Sequence, residues 1–204
     1  MPSHAPSQPP VWLASTSPRR RELLAQLGIP CVVVGVDVDE TPGRDEGAAD
    51  LACRLAATKA RAGRTKAPPG SIVVGADTVV ALGTEIFGKP VDAADAQRIL
   101  TRLAGRTHSV YSAVAVVDAE RERVELSRSE VTFRSLEPGE IAAYWATGEP
   151  RDKAGAYGIQ GLGAAFVTLL HGSYSGVMGL PLFETARLLA AAGYPMPGLV
   201  GSAP

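Results

Sequence analysis

Cysteine is almost absent, with only Cys31 and Cys53 in 204 residues. Two are too few for a disulfide scaffold, and their separation is not a metal-ligand spacing. Both are expected as reduced thiols in the core. Histidine is nearly as scarce: His4, His108 and His171 form no ligand pattern. His4 lies in a Pro/Ser-rich start, and the other two are expected to cap strands. No nucleophile elbow or Ser-His-Asp arrangement is present, so covalent catalysis has no support. An excess of charge is missing too, with 20 basic against 21 acidic residues and a net charge of −1. A protein that lives on nucleic-acid backbone is usually clearly basic. A polymeric nucleic-acid partner is therefore disfavoured, whereas a small anion needs only a local basic pocket. No apolar run approaches the length of a membrane span. The first ten residues, MPSHAPSQPP, lack the basic region and apolar stretch of a secretory signal. The expected location is the cytoplasm, with no membrane partner; a homodimer is an expectation the sequence permits.

What is present is ordinary globular usage, 46% hydrophobic and 20% charged. The length suits one domain with a real core, perhaps in two lobes. Strands are expected at 11–14, 31–36, 71–82, 107–118, 123–135 and 165–170. Helices are expected from Ser17 to about Gly28 and over 45–64, 92–103, 138–146 and 181–192. Strands and helices alternate, and the long pair after 107 reads as a hairpin inserted among them. The class is α/β with a mixed sheet. Residues 1–10 and 195–204 are expected as tails around a single domain at 11–194.

Three arginines, Arg19 to Arg21, open the first helix directly behind Ser15-Thr16-Ser17-Pro18. Ser17 is expected as its N-cap, with Pro18 in the first position. Cations at a helix N-terminus oppose the macrodipole, so an anion is needed to explain them. Free backbone N–H groups, serine hydroxyls and guanidinium groups all suit phosphate oxygens. Asp77 interrupts the apolar run from Ile72 to Leu82. A carboxylate there is costly unless paired, hydrogen-bonded or metal-bound. General base, metal ligand and structural aspartate are the three readings. Thr78 points to the other face and would approach the same ligand only if the strand bends.

Lys59 continues a leucine stripe with Leu51 and Leu55 on one helix face. Snorkelling to water and a functional role are equally open. Asp37, Asp39 and Glu40 form an acidic turn, either a solvated loop or a source of oxygen ligands for a hard cation. Gly83 to Lys89 spells most of a phosphate-binding loop, but Pro90 stands where the metal-binding hydroxyl belongs. Ile86 and Phe87 read better as the second arm of a hairpin, which leaves Lys89 as a point charge.

Taken together these pieces resemble the Maf family. The matching segments are Leu13 to Arg20, Glu40, Lys59-Ala60, Gly75 to Val80, Gly88-Lys89-Pro90 and Asp152 to Gly161. They run in order over about residues 11–190. The resemblance implies a two-lobed α/β fold around an elongated mixed sheet, with a central cleft flanked by helices. It implies a nucleotide pyrophosphatase that needs a divalent metal, magnesium or manganese. It implies Asp77 as proton acceptor and metal ligand beside Glu40. Ser15, Arg20, Lys59 and Lys89 match phosphate-handling positions. Arg19, Thr78 and Gln160 match the specificity positions of a branch that acts on dTTP and UTP. The alternatives are an enzyme for 7-methyl-GTP or another modified nucleotide, and a nucleotide-binding regulator of cell division.

Overall fold

The computed structural model describes residues 8–196. Seven strands form one mixed sheet in the order β2-β1-β3-β5-β6-β7, with β4 attached to β3. The strands are β1 (Val11–Leu13), β2 (Cys31–Val33), β3 (Val73–Leu82), β4 (Glu85–Phe87), β5 (Thr107–Val117), β6 (Glu122–Phe133) and β7 (Val167–His171). The helices are α1 (Pro18–Gln26), α2 (Ala48–Arg64), α3 (Ala93–Leu103), α4 (Pro138–Ala146), α5 (Tyr174–Met178) and α6 (Leu182–Ala191). The β1–β2 and β1–β3 pairs are parallel; the other ladders are antiparallel. Three apolar clusters line the sheet. One lies at the β4, α3 and α4 end, one beneath β1, α1 and α6, and one under α2. The first two lie toward opposite ends of β3 and β5 and mark the two lobes.

One topological detail makes the cleft. Along its whole length from Val73 to Ala81, β3 pairs with β5 on one edge. On its other edge β1 covers only Val73 and Val74, and β4 covers only Val80 to Leu82. Residues 75–79 therefore present an open strand edge between the two lobes. Trp12 and Ala14 donate their N–H groups to the carbonyls of Ile72 and Val74. Strand alternation then turns the backbone groups of Ala76 and Thr78 toward the same opening.

Helix α2 packs directly on this strand because Gly75 has no side chain. A Cβ there would lie 2.3 Å from the Ala56 carbonyl oxygen and 2.5 Å from the Ala60 nitrogen. The amphipathic spacing of α2 buries Leu51, Leu55, Ala56 and Ala60. The same close approach carries Lys59 to the strand two residues beyond Gly75.

Several elements differ from expectation. β2 ends at Val33, three residues early, and α2 begins at Ala48 rather than near Asp45. Asp45 sits at φ 61°, outside any helix, and Gly47 is extended. Ser17 occupies the N-cap of α1, but its side chain makes no cap bond. Its own N–H instead donates to Ser15 Oγ. Cys31 and Cys53 are half-buried at the margins of two clusters and not fully in the core. His108 is no strand cap: it is 2% exposed, with Nε2 2.9 Å from the Tyr157 hydroxyl. The tail residues 1–7 and 197–204 lie outside the described residues. Inside them, Gln8 and Pro9 bond with Pro195 and Tyr194.

Candidate active site

A cavity of about 520 Å³ occupies the opening beside β3. Ser15, Arg19, Arg20, Glu40, Lys59, Asp77, Thr78, Lys89 and Gln160 all line it. They come from six separate stretches of chain, brought together by the split edge of the sheet. Asp77 and Thr78 point to opposite faces of β3, yet both reach the cavity. The missing neighbour strand leaves both faces of β3 open to it.

The centre is a carboxylate–ammonium–carboxylate group. Lys59 Nζ lies 2.6 Å from Asp77 Oδ1 and 2.5 Å from Glu40 Oε1. The Lys59 and Asp77 side chains are 11% and 10% exposed, so this lysine does not snorkel to water. Glu40 is the outer member at 48%. Burial works against its ionisation, but Lys59, with help from Lys89 and Arg20, outweighs that and holds its carboxyl below the usual glutamate range. Of the acidic turn only Glu40 lines the cavity; Asp39 is exposed and accepts the Thr41 N–H.

Arg20 approaches from the first turn of α1. Its Nε donates to the Gly179 carbonyl at 2.8 Å and its guanidinium to Ser15 Oγ at 3.1 Å. Burial lowers its pKa while Asp77 pulls the other way; a guanidinium stays charged throughout. Gly179 sits at φ 128°, a conformation suited to glycine, and so offers its carbonyl to Arg20. Arg19 turns away from Arg20 and donates to Asp152 Oδ2 at 2.8 Å. Burial opposes ionisation of Asp152, yet Lys153 and Arg19 hold its carboxyl at about 2. On the other side of the opening Lys89 follows β4, exposed and facing the cavity.

Thr78 Oγ1 lies 3.0 Å from Ser112 Oγ, which itself donates to the Gly176 carbonyl. A hydroxyl has one proton. Ser112 has used its own, so Thr78 must donate to Ser112. Thr78 thereby presents only acceptor lone pairs to a ligand.

The Maf-like protein family model spans residues 10–192 of this chain. A dTTP/UTP pyrophosphatase of Aromatoleum aromaticum is 52% identical, covering 94% of this chain and 99% of that protein. A dTTP/UTP pyrophosphatase of Methylococcus capsulatus is 55% identical over 87% of this chain and 88% of its own length. One from Myxococcus xanthus is 53% identical, over 91% and 93%.

The chain belongs to the Maf-like family.

In this Maf-like protein the donor set suits a hard divalent cation. Glu40 and Asp77 already converge on one cation, the Lys59 ammonium. Among the described residues no group of three or more His, Cys, Asp or Glu side chains is placed to hold a metal ion by itself. Two carboxylates, completed by phosphate oxygens and water, are the usual protein share of a magnesium shell. Sequence reasoning missed Asp152 as the partner of both Arg19 and Lys153, and it missed α5 with Met178 and Gly179. The signal for Asp152-Lys153 was their place at the head of the Gly-rich stretch. The single-turn α5, opened by Ser173 accepting the Gly176 N–H, has no apolar period to betray it.

Proposed function

We propose that this protein hydrolyses dTTP and UTP to the monophosphate and pyrophosphate. The observation that carries the reading is Asp77 on the open edge of β3, ringed by Lys59, Arg20 and Lys89 in one cavity. Relatives with about half their residues in common over most of both chains are dTTP/UTP pyrophosphatases, which supports the same substrates here.

Water attacks the α-phosphorus. The bond from that phosphorus to the bridging oxygen of the β-phosphate breaks, and pyrophosphate leaves with the electron pair. Asp77 accepts the proton of the attacking water. A triphosphate carries about four negative charges, so transition-state stabilisation rests on fixed cations. Arg20 with Ser15, Lys59 and Lys89 supply them. A magnesium or manganese ion held by Glu40 and Asp77 would add Lewis-acid neutralisation of the phosphate oxygens. Binding there requires Lys59 to exchange its two carboxylate partners for phosphate.

The base is read by Arg19, Thr78 and Gln160. The Watson–Crick edge of thymine or uracil offers acceptor, donor and acceptor. Thr78, held as an acceptor by Ser112, matches the ring N–H. The Gln160 amide carries both a donor and an acceptor. No described helix is long and apolar enough to cross a membrane, and we place the enzyme in the cytoplasm.

The test is hydrolysis of dTTP with magnesium in ¹⁸O-water. The reading requires dTMP and pyrophosphate as products, with the label on the α-phosphate of dTMP. dTDP and inorganic phosphate, or label in pyrophosphate, would overturn it.

A further inference from the structure

Gln160 lines the cavity, but its amide makes no hydrogen bond among the described residues. Its direction must therefore come from its backbone. That backbone wraps around one carboxylate. Glu149 Oε2 accepts the Leu162 N–H at 2.8 Å, and Oε1 accepts the Gly163 N–H at 3.1 Å. Oε1 also accepts the Tyr144 hydroxyl at 2.7 Å. The Tyr144 oxygen in turn accepts the Gly158 N–H at 3.0 Å. Both ends of the six-residue loop 158–163 are thus tied to Glu149, one directly and one through Tyr144.

The glycines of the loop exist for this wrap. A Cβ on Gly161 would lie 2.4 Å from Glu149 Oε2, and one on Gly163 would lie 2.7 Å from the Tyr144 oxygen. A Cβ on Gly158 would meet Lys153 Cε at 2.8 Å. Leu162 and Gly163 also open a short 3-10 turn, whose first N–H groups lack partners within the turn. Glu149 supplies them. Burial works against its ionisation, but the Tyr144 hydroxyl and the two amides hold its carboxyl below the usual glutamate range. A charged acceptor with three donors is the strong kind of hydrogen-bonding centre.

We propose that Glu149 is a positioning residue for base recognition: by anchoring the loop 158–163 it sets where Gln160 stands in the cleft. The proposal rests on the base-reading role of Gln160. Glu149 touches neither phosphate-handling cations nor Asp77, so its loss acts on selectivity and not on the chemical step.

The variant is Glu149→Gln. Its single carbonyl oxygen can keep one side of the clamp, while its NH₂ opposes the N–H on the other. Charged hydrogen bonds of this kind set the scale: the ratio of kcat/KM for dTTP over ATP is expected to fall about tenfold. The loss should appear in KM for dTTP, with kcat and the ATP rate nearly unchanged. Hydrogen exchange at the amides of 158–163 should quicken in the folded protein. Tyr144→Phe, which keeps the ring, frees the Gly158 N–H and takes one of the three donors from Glu149, leaves the Leu162 and Gly163 bonds in place; it should lower the same ratio by less and serves if Glu149→Gln does not fold. Gln160→Ala is the control. If Gln160→Ala lowers the ratio and Glu149→Gln does not, the positioning role is overturned. An equal fall for every nucleotide in Glu149→Gln would mark a merely structural role and overturns it as well. If Gln160→Ala leaves the ratio intact, base reading by Gln160 fails, and this proposal with it.

Discussion

Replacing Asp77 by Asn keeps the shape of the side chain and removes its charge. Asp77 and Lys59 are 10% and 11% exposed, so their ion pair is largely shielded from water. Breaking a buried pair and leaving one partner uncompensated costs about 3–5 kcal/mol. Here Lys59 keeps Glu40 at 2.5 Å, so we expect a loss of stability nearer ~1–2 kcal/mol. The variant should fold. Catalysis should suffer far more, because a general base contributes about 10²–10⁴-fold. That is a rise in barrier of roughly 3–5 kcal/mol. The assay is steady-state pyrophosphate release at saturating dTTP and magnesium, with calorimetric melting and titration of a non-hydrolysable dTTP analogue alongside. Nucleotide affinity should change little. Glu40→Gln separates the two carboxylates: it should raise the metal concentration needed and recover much of its rate when metal saturates, whereas Asp77→Asn should not recover. A loss of only about twofold in kcat for Asp77→Asn would remove Asp77 from the base role.

Arg20→Ala and Lys89→Ala should each weaken binding of pyrophosphate, measured by calorimetry, while binding of thymidine stays the same; unchanged pyrophosphate affinity in both would refute their phosphate role. Gly75→Ala should destabilise the protein by about 3 kcal/mol or more, since overpacking here meets backbone that cannot give and the added Cβ falls 2.3 Å from a carbonyl oxygen; a melting temperature within a degree of wild type would show that α2 can retreat. His108 has its pKa lowered by burial to about 4 from an ordinary 6.5. The folded state thus binds fewer protons than the unfolded one, and stability falls as pH drops from 6.5 toward 4, by about 2 kcal/mol at pH 5. His108→Phe should flatten that part of the stability–pH curve in denaturant titrations at pH 7 and 5, and an equal slope in both proteins would refute it.

Most of the elements were legible because their signals are local. The period of α2 and the alternation of β5 and β6 each sit within a short window. The second arm at Ile86-Phe87 was legible for the same reason. The arginines behind Ser15 and the buried Asp77 stood out by their chemistry, Gln160 and the specificity set came only with the family resemblance, and all nine line one cavity. What the sequence could not express is how they meet. That β1 and β4 share one edge of β3, leaving 75–79 bare, depends on the pairing of Trp12 with Val73, 61 residues apart, meeting the local β3–β4 hairpin on the same edge. Hence Thr78 was expected to need a bend. The Lys59 stripe left snorkelling and a functional role equally open, because the approach at Gly75 is invisible in helix period alone. His108 was misplaced because a lone histidine at a strand end carries no trace of Tyr157, 49 residues on.

The central claim is selective hydrolysis of dTTP and UTP by the cavity beside β3. The most direct test is kcat/KM for dTTP, UTP, ATP and 7-methyl-GTP, by pyrophosphate release, on wild type and Gln160→Glu. The account predicts that wild type favours dTTP and UTP clearly. It also predicts that Gln160→Glu, which removes the amide donor, erodes that preference more than it lowers the rate on the best substrate. A wild type that favours 7-methyl-GTP, or a variant with an unchanged ranking and ratio, would contradict it.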